Sequence, residues 1–319
     1  SPFGVPVSSS LFSVPAKLRR NSVNAATTAV MAPAASSGGS KPYLLASVPM
    51  PSAPTAGPAR VIDTLLDEQA ILGLAIGAAH NALLPIPEIQ FLAYLHNAED
   101  QLRGEAATLA FFSNGQFSNP MVVRIAGLGY QKGFGGHFHN DNSLAVLRDI
   151  PGIIIACPSN GADAAMMLRE SVRLAREEQR VVVFIEPIAL YPMRDLHAEK
   201  DGAWMRHYPD PSRRIGFGEI GVEGDGTDLA IVSFGNGIYI SNQSSVALTS
   251  HGISTRIIDA RWLSPLPKAA LTAAVQGCKR ILIVDETRHS GGVAEALMAH
   301  RNSTKRFHPV PTSGGMSTP

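Results

Sequence analysis

The stretch Ile153–Ile185, IIIACPSNGADAAMMLRESVRLAREEQRVVVFI, holds two short apolar runs on either side of an amphipathic segment. The runs 153–156 and 181–185 have the length and the β-branched content of buried strands. Between them, Asp163–Glu177 has the length and pattern of a helix. Two strands joined through a helix lie parallel in one sheet. The stretch therefore predicts an α/β fold, in which helices cover both faces of a parallel sheet.

The same alternation of strands and helices continues on both sides of this unit. On the N-terminal side, the predicted elements are helices at Glu68–Ala82, Tyr94–Phe112 and Ser143–Asp149, strands at Pro85–Phe91 and Val122–Ala126, and a glycine-rich loop at Gly127–Gly136. On the C-terminal side, they are strands at Asp228–Phe234, Thr255–Asp259 and Arg280–Asp285 and helices at Ser241–Ser250 and Lys268–Gln276. We expect two doubly wound, mainly parallel-sheet domains at residues 60–205 and 206–300, with an aperiodic linker at 193–214.

The two ends of the chain differ from these domains in composition. Residues 1–59 are rich in Ser, Pro and Ala, have no regular apolar period and contain no acidic residue. This composition predicts disorder, and it is also typical of an organellar targeting peptide or a linker. A targeting peptide would place the protein in mitochondria or plastids, whereas a bacterial source would place it in the cytoplasm. Residues 301–319 are predicted to form a polar tail.

The overall composition excludes several classes of protein. The formal net charge is +1, so no broad electrostatic field attracts nucleic acid. No apolar stretch approaches the roughly 20 residues that a membrane helix needs. Cys157 and Cys278 each lie beside an apolar segment, which favours two reduced thiols over a disulfide.

Two groups of residues could carry chemistry. Glu68 lies at the predicted start of a helix, where the helix dipole alone favours an acidic side chain. His137 and His139 lie in the glycine-rich segment that follows a predicted strand, the place where open α/β sheets bind ligands. Two histidines this close also raise the alternative of a metal-dependent hydrolase, although no third and fourth ligand follow at a recognisable spacing.

The order and spacing of several motifs resemble the β subunits of thiamine-diphosphate-dependent 2-oxo acid dehydrogenases. These proteins combine a transketolase-like pyrimidine-binding domain with a transketolase C-terminal-like domain. In the first domain the similar segments are Arg60–Gly77, Glu88–Tyr94, Asp100-Gln101, Phe138-His139, Pro151–Pro158, Phe184–Pro187 and Leu190-Tyr191. In the second they are Gly226–Val232, Ile258–Arg261 with Pro265, Val284–Glu286 and Gly291-Gly292.

The resemblance implies a role for individual residues. Glu68 matches the glutamate that hydrogen-bonds a ring nitrogen of the cofactor's aminopyrimidine, and Tyr94 matches an aromatic residue that stacks on this ring. Ile89 and Gln90 are expected to line the cofactor site beside them. His139 matches a histidine that orients and protonates intermediates and serves transfer to a lipoyl group. His137 has no counterpart and is a candidate for contact with substrate.

The resemblance also implies partners, because one of the family's motifs is missing. The Gly-Asp-Gly and downstream Asn-Asn motif that holds magnesium and diphosphate belongs to the α subunit, and this chain contains no Asn-Asn pair. We therefore expect an α subunit, or a fused α half as in some bacterial enzymes, in an α2β2 type of assembly. The expected substrate is pyruvate or a branched-chain 2-oxo acid, and the expected acceptor is a lipoyl-bearing acyltransferase. Since the chain also resembles a β subunit truncated at both ends, a non-catalytic paralogue with a role in assembly is the alternative.

Overall fold

The computed structural model describes residues 28–33, 60–129 and 139–302 of the 319-residue chain. The strands are β1 (Thr28–Pro33), β2 (Val61–Asp63), β3 (Leu83–Ile86), β4 (Glu88–Ile89), β5 (Met121–Gly127), β6 (Ile154–Ala156), β7 (Val181–Pro187), β8 (Gly221–Glu223), β9 (Leu229–Ser233), β10 (Thr255–Asp259), β11 (Trp262–Ser264) and β12 (Arg280–Ile283). The α-helices are α1 (Glu68–His80), α2 (Leu109–Phe112), α3 (Leu144–Asp149), α4 (Gly161–Glu178), α5 (Asn236–Ser250), α6 (Lys268–Ala274) and α7 (Val293–Asn302). None of these helices combines the length and hydrophobicity needed to cross a membrane.

A five-stranded sheet in the order β11-β6-β7-β5-β4 forms the centre of the first domain. Strands β4 to β7 are parallel within it, and α4 connects β6 to β7 as the sequence predicts. Alternate residues of β7 enter two cores: Val183 and Ile185 pack on one face, Val182 and Phe184 on the other. Because both faces are covered, this strand is apolar throughout. The predicted α/β fold is confirmed.

The second sheet has the order β12-β9-β10-β8, with β12, β9 and β10 parallel and β8 antiparallel. The three strands predicted here are confirmed, whereas the short edge strand β8 was not predicted. The boundary predicted at residue 206 stays a prediction, and one strand from beyond it joins the first sheet. After β10 the chain returns to the first sheet, where β11 pairs with β6 and Trp262 is fully buried.

Buried polar side chains join the domains beside β11. The Ser159 hydroxyl donates to Asp259 Oδ2 at 2.5 Å, and the backbone N–H of Arg261 donates to Asp259 Oδ1 at 3.0 Å. The Arg261 guanidinium in turn pairs with Asp163 at the start of α4, at 2.7 Å. Cys157 lies next to this network as a buried free thiol, and Cys278 is a half-buried free thiol, so the predicted reduced state of both is confirmed.

The prediction of disorder throughout residues 1–59 is wrong for six residues. Thr28–Pro33 forms β1, the central strand of an antiparallel sheet with β2 and β3. The segment TAVMAP contains two alanines and a proline, so its intrinsic strand preference is weak and pairing with two neighbours decides its conformation. The remainder of 1–59 and the tail from residue 303 lie outside the described residues.

Two predicted elements are broken in the structure. The predicted strand Pro85–Phe91 is divided between β3 and β4 at Pro87, which has no N–H to donate to a ladder. The predicted helix Tyr94–Phe112 is replaced by a 3-10 turn at Leu92–Ala98, a π-helical turn at Gln101–Ala106 and α2. Leu92, Leu95 and Ala98 are the buried residues of the 3-10 turn, and their spacing of three fits its three residues per turn.

Candidate active site

Glu68 is the first residue of α1 and is 6% exposed. The preceding residue, Asp67, caps the helix: its carboxylate accepts hydrogen bonds from the backbone N–H groups of Gln69 at 3.0 Å and Ala70 at 3.2 Å. Asp67 already caps the helix, so the Glu68 carboxylate is not needed as a cap and is available for another role. The burial of Glu68 is consequently not explained by helix stability alone.

The Glu68 carboxylate contacts the 3-10 turn Leu92–Ala98. The Asn97 side-chain amide donates to Glu68 Oε2 at 3.3 Å. The turn packs against α1 through Leu92 and Leu95, which share the main core with Ile71 and Leu72 of the helix. A buried apolar contact therefore fixes the distance between the helix that carries Glu68 and the turn that carries Asn97.

Three aromatic rings meet beside the same 3-10 segment. The ring centroids of Phe91 and His139 are 4.5 Å apart, and those of Tyr94 and His139 are 5.9 Å apart, both edge to face. Phe91 and Tyr94 also meet edge to face, at 5.7 Å. All three side chains are half-buried, so they present ring surface to a ligand while their positions are fixed.

Asp141 connects this aromatic group to two further elements. Its Oδ2 atom lies 2.8 Å from His96 Nε2 in the 3-10 turn, and its Oδ1 atom lies 3.1 Å from the Arg288 guanidinium in the second domain. Burial raises the pKa of Asp141, but hydrogen bonds from Ser143 and His96 and the charge of Arg288 outweigh this effect. The pKa therefore lies below its usual value, and the carboxylate is charged at neutral pH.

The structure brings three of the predicted site residues together and leaves three predictions open. Glu68, Tyr94 and His139 all adjoin one turn. Ile89 lies in the main core with a fully buried side chain, and Gln90 follows it half-buried, so their contact with the cofactor stays a prediction. His137 lies outside the described residues. In the described part of the chain, no group of three His, Cys, Asp or Glu side chains could hold a metal ion.

Five residues around the site were not predicted from the sequence: Phe91, His96, Asn97, Asp141 and Arg288. Asn97 is separated from Glu68 by 29 positions, and Arg288 from Asp141 by 147, so no local pattern relates them. A usable signal was present nonetheless. One short segment contains Tyr94, His96 and Asn97 together with buried leucines. A short helical segment can point such polar and aromatic side chains in different directions, so their clustering indicates a candidate site.

The donor set suits a flat heteroaromatic group with polar ring atoms. A buried carboxylate supported by an amide can exchange a proton with a ring nitrogen, and aromatic edges can pack against the ring itself. This chemistry, together with two α/β domains joined by an antiparallel strand, fits the transketolase class of proteins that the sequence resembles.

Comparisons with known proteins are consistent with this placement. The family model "Transketolase, pyrimidine binding domain" matches residues 15–193, and "Transketolase, C-terminal domain" matches residues 218–319. The first match begins well before Arg60, where the sequence predicted the domain to start. A split-gene transketolase, solved as an inactive β4 tetramer, superposes with a TM-score of 0.62 at 19% identity, covering 79% of this chain and 74% of that one.

Curated relatives narrow the family. The pyruvate dehydrogenase E1 β subunit of Bacillus subtilis is 30% identical over 77% of this chain and 71% of its own length. The 2-oxoisovalerate dehydrogenase β subunit of Pseudomonas aeruginosa is 31% identical over 76% and 69%. An acetoin:2,6-dichlorophenolindophenol oxidoreductase β subunit from Cupriavidus necator is 29% identical over 75% and 66%. The chain belongs to the β-subunit family of thiamine-diphosphate-dependent 2-oxo acid dehydrogenases.

This membership decides between the alternatives raised by the sequence. A thiamine-diphosphate-dependent oxidoreductase component is the function that the family carries, and thiamine diphosphate is its cofactor. Neither the metal-dependent hydrolase nor the non-catalytic paralogue is favoured. The buried carboxylate and the half-buried rings fit the aminopyrimidine of that cofactor, so the residues present are compatible with the family's chemistry.

Proposed function

We propose that this chain, assembled with an α partner that holds magnesium and the cofactor diphosphate, decarboxylates a 2-oxo acid and passes the acyl group to a lipoyl-bearing acyltransferase. One observation carries the proposal: Glu68 and His139 both contact residues of the single 3-10 segment Leu92–Ala98, Glu68 through Asn97 and His139 through Tyr94. An acid and an imidazole held by one rigid element can act on one bound molecule. The relatives named above include enzymes for pyruvate and for branched-chain 2-oxo acids, so the substrate is proposed as this class.

Each site residue has a physical task in this reaction. Thiamine diphosphate, when bound, supplies a nucleophilic carbon and an electron sink for decarboxylation. Glu68 holds a proton at a pyrimidine ring nitrogen, and Asn97 keeps its carboxylate in place by donating to Oε2. Tyr94 packs against the pyrimidine. His139 delivers and removes protons at the substrate, a role that an imidazole can serve as both donor and acceptor.

The surface beside Glu68 supports the need for a partner. Leu65 is 81% exposed and Leu66 is 60% exposed, immediately before the helix that carries Glu68. Along α1, a Cβ atom added to Gly73 or Gly77 would meet nothing within 4 Å. An apolar edge and a helix with small residues facing open space allow another chain to approach closely. We infer that the α partner covers this surface and completes the site.

The direct test is reconstitution. The chain is mixed with the α subunit from the same source, thiamine diphosphate and magnesium, and decarboxylation of pyruvate and of branched-chain 2-oxo acids is followed with 2,6-dichlorophenolindophenol as electron acceptor. Turnover is expected only when both chains are present. A stable αβ complex that binds the cofactor but turns over none of these acids would contradict the proposal and would support the non-catalytic paralogue.

A further inference from the structure

Three parts of the molecule meet at Asp141, a residue with no role in the chemistry proposed above. His96 comes from the 3-10 turn that contacts Glu68 through Asn97, and Arg288 follows β12 in the second domain. Ser143 belongs to the same segment as Asp141 and donates both its backbone N–H, at 3.1 Å, and its hydroxyl, at 2.5 Å, to Asp141 Oδ1. A single carboxylate therefore receives hydrogen bonds from two elements other than its own segment.

The hydrogen bonds from Ser143 to Asp141 take the place of an ordinary helix-capping hydrogen bond. Ser143 is the N-cap residue of α3, a position where a serine hydroxyl normally accepts from the helix N–H groups. Here Ser143 makes no side-chain capping bond, because its hydroxyl is turned to Asp141. The start of α3 gives up a stabilising contact, and the segment 139–143 gains a closed turn around the Asp141 carboxylate.

We propose that Asp141 is a positioning residue, which holds His139 against the Tyr94 turn by using His96 and Arg288 as anchors. His139 lies two positions before Asp141, so a displacement of the carboxylate moves the imidazole with it. The proposal rests on the role of His139 given under the proposed function. In this proposal the position of His139 depends on both domains, because the Asp141 carboxylate binds one residue from each.

The charges around Asp141 favour a positioning role over a purely structural one. Hydrogen bonds to an ionised carboxylate are roughly twice as strong as those between neutral groups. A reacting group displaced by about 1 Å can lose roughly 10²-fold in rate, so a firm anchor close to His139 has a functional consequence. Arg288 is exposed and His96 is half-exposed, and a carboxylate that serves only packing does not need two anchors at the surface.

The test compares variants that keep or remove the anchors. Asp141→Asn keeps an oxygen for the Ser143 N–H but removes the charge that attracts His96 and Arg288. His96→Leu removes one anchor, whereas His96→Gln retains a donor for Asp141. Asp228→Asn is the matched control. Asp228 also accepts from a serine N–H and hydroxyl, those of Ser254, and from a cation, Lys279 Nζ at 2.7 Å, but it lies between β8 and β9 on the exposed side of the second sheet.

Two measurements separate this proposal from the proposed function. In the αβ complex, Asp141→Asn and His96→Leu should accelerate amide hydrogen exchange in residues 139–149 by about tenfold, the effect of losing one charged hydrogen bond. They should also lower kcat about tenfold with little change in KM, since substrate binding does not use Asp141. His96→Gln should keep both the exchange rate and kcat close to those of the unaltered complex. Asp228→Asn should change neither the exchange rate in residues 139–149 nor kcat.

The outcomes are distinguishable. If Asp141→Asn leaves exchange in residues 139–149 as slow as Asp228→Asn does, the anchoring role is wrong, whatever the activity. If exchange accelerates as expected but kcat is unchanged, Asp141 orders the segment without positioning His139, and the proposal is equally overturned. If the unaltered complex shows no turnover at all, the proposed function fails, while the exchange measurement still decides whether Asp141 anchors the segment.

Discussion

Glu68 and Asp259 are two carboxylates with the same exposure, 6%, and with opposite surroundings. Asp259 accepts from the Ser159 hydroxyl at 2.5 Å and from the Arg261 N–H at 3.0 Å, inside the junction of the two domains. Glu68 accepts from the Asn97 amide at 3.3 Å and lies beside the exposed Leu65 and Leu66. Burial alone thus does not distinguish an acid that holds the fold together from one to which we assign a chemical role.

The difference lies in what the partners of each carboxylate do. The partners of Asp259 belong to the fold itself, since they connect β10, β11 and the segment before α4. The partner of Glu68 sits on a turn that also carries Tyr94 and contacts His139. Removing Asp259 should therefore reduce stability, and removing the acidity of Glu68 should reduce catalysis.

Glu68→Gln should lower decarboxylation by the αβ complex by roughly 10²-fold or more, the usual scale for a proton-transfer residue. The amide keeps the shape of the side chain but cannot share a proton with the cofactor. The rate of 2-oxo acid decarboxylation under saturating cofactor is the measurement, with thermal unfolding as a check on folding. An unchanged rate would show that Glu68 has no such role.

Asp259→Ala should reduce the free energy of unfolding by about 2–3 kcal/mol, because the Ser159 hydroxyl and the Arg261 N–H lose their acceptor in a buried place. Urea denaturation at neutral pH measures this. The rate per correctly folded complex should stay near that of the unaltered chain. A variant as stable as the parent would show that the junction does not depend on this carboxylate.

The pH dependence of stability should report on the ionisation of Asp259. Burial raises the pKa of Asp259 to about 7, against hydrogen bonds and the charge of Arg261 that lower it. An unfolded aspartate loses its proton near pH 4, so between about pH 4 and pH 7 the folded chain binds more protons and its stability falls as pH rises. The contribution is at most about 1.4 kcal/mol per pH unit.

Asp259→Asn removes this contribution, so its free energy of unfolding should depend less on pH between 5 and 7 than that of the unaltered chain. Urea denaturation of both proteins at several pH values gives the comparison. Parallel curves for the two proteins would mean that Asp259 does not retain a proton in the folded state.

Asn97→Leu should lower the decarboxylation rate by about tenfold, the effect of losing one hydrogen bond to a carboxylate. Leucine has the same branched shape and Asn97 is an exposed residue, so the packing of the 3-10 segment should survive and the unfolding temperature should change little. Asn242→Leu, which removes an amide that donates to a backbone carbonyl within α5, is the matched control and should leave the rate as it was. Equal rates for both variants would remove Asn97 from the site.

The sequence was sufficient to predict elements whose conformation is set by local pattern. Three such elements are the strands at 181–185 and 255–259 and the helix after Asn160. In each of them the apolar residues follow a single strand or helix pattern along the whole element. The turn Leu92–Ala98 was predicted as α-helix, since Leu95, Ala98 and Leu102 fit the α spacing as well as they fit the actual geometry. Near the site the backbone departs from regular helix, which is where local reasoning fails.

The candidate site was predictable to a similar extent. Glu68, Tyr94 and His139 came from resemblance to a family and adjoin one turn in the structure. Asn97 and Asp141 were missed because their partners are distant in the sequence and their importance depends on the fold. The junction at Asp259 was missed for the same reason. Only the return of the chain to the first sheet through β11 reveals it.

The structure of the αβ complex with thiamine diphosphate bound tests the role of Glu68 directly. We expect a Glu68 carboxylate oxygen to lie about 2.6–3.2 Å from a ring nitrogen of the aminopyrimidine, with the Tyr94 ring against the heterocycle and the His139 imidazole facing the reactive carbon. A cofactor bound elsewhere, or a Glu68 side chain that contacts only Asn97 and protein atoms in the loaded complex, would contradict it.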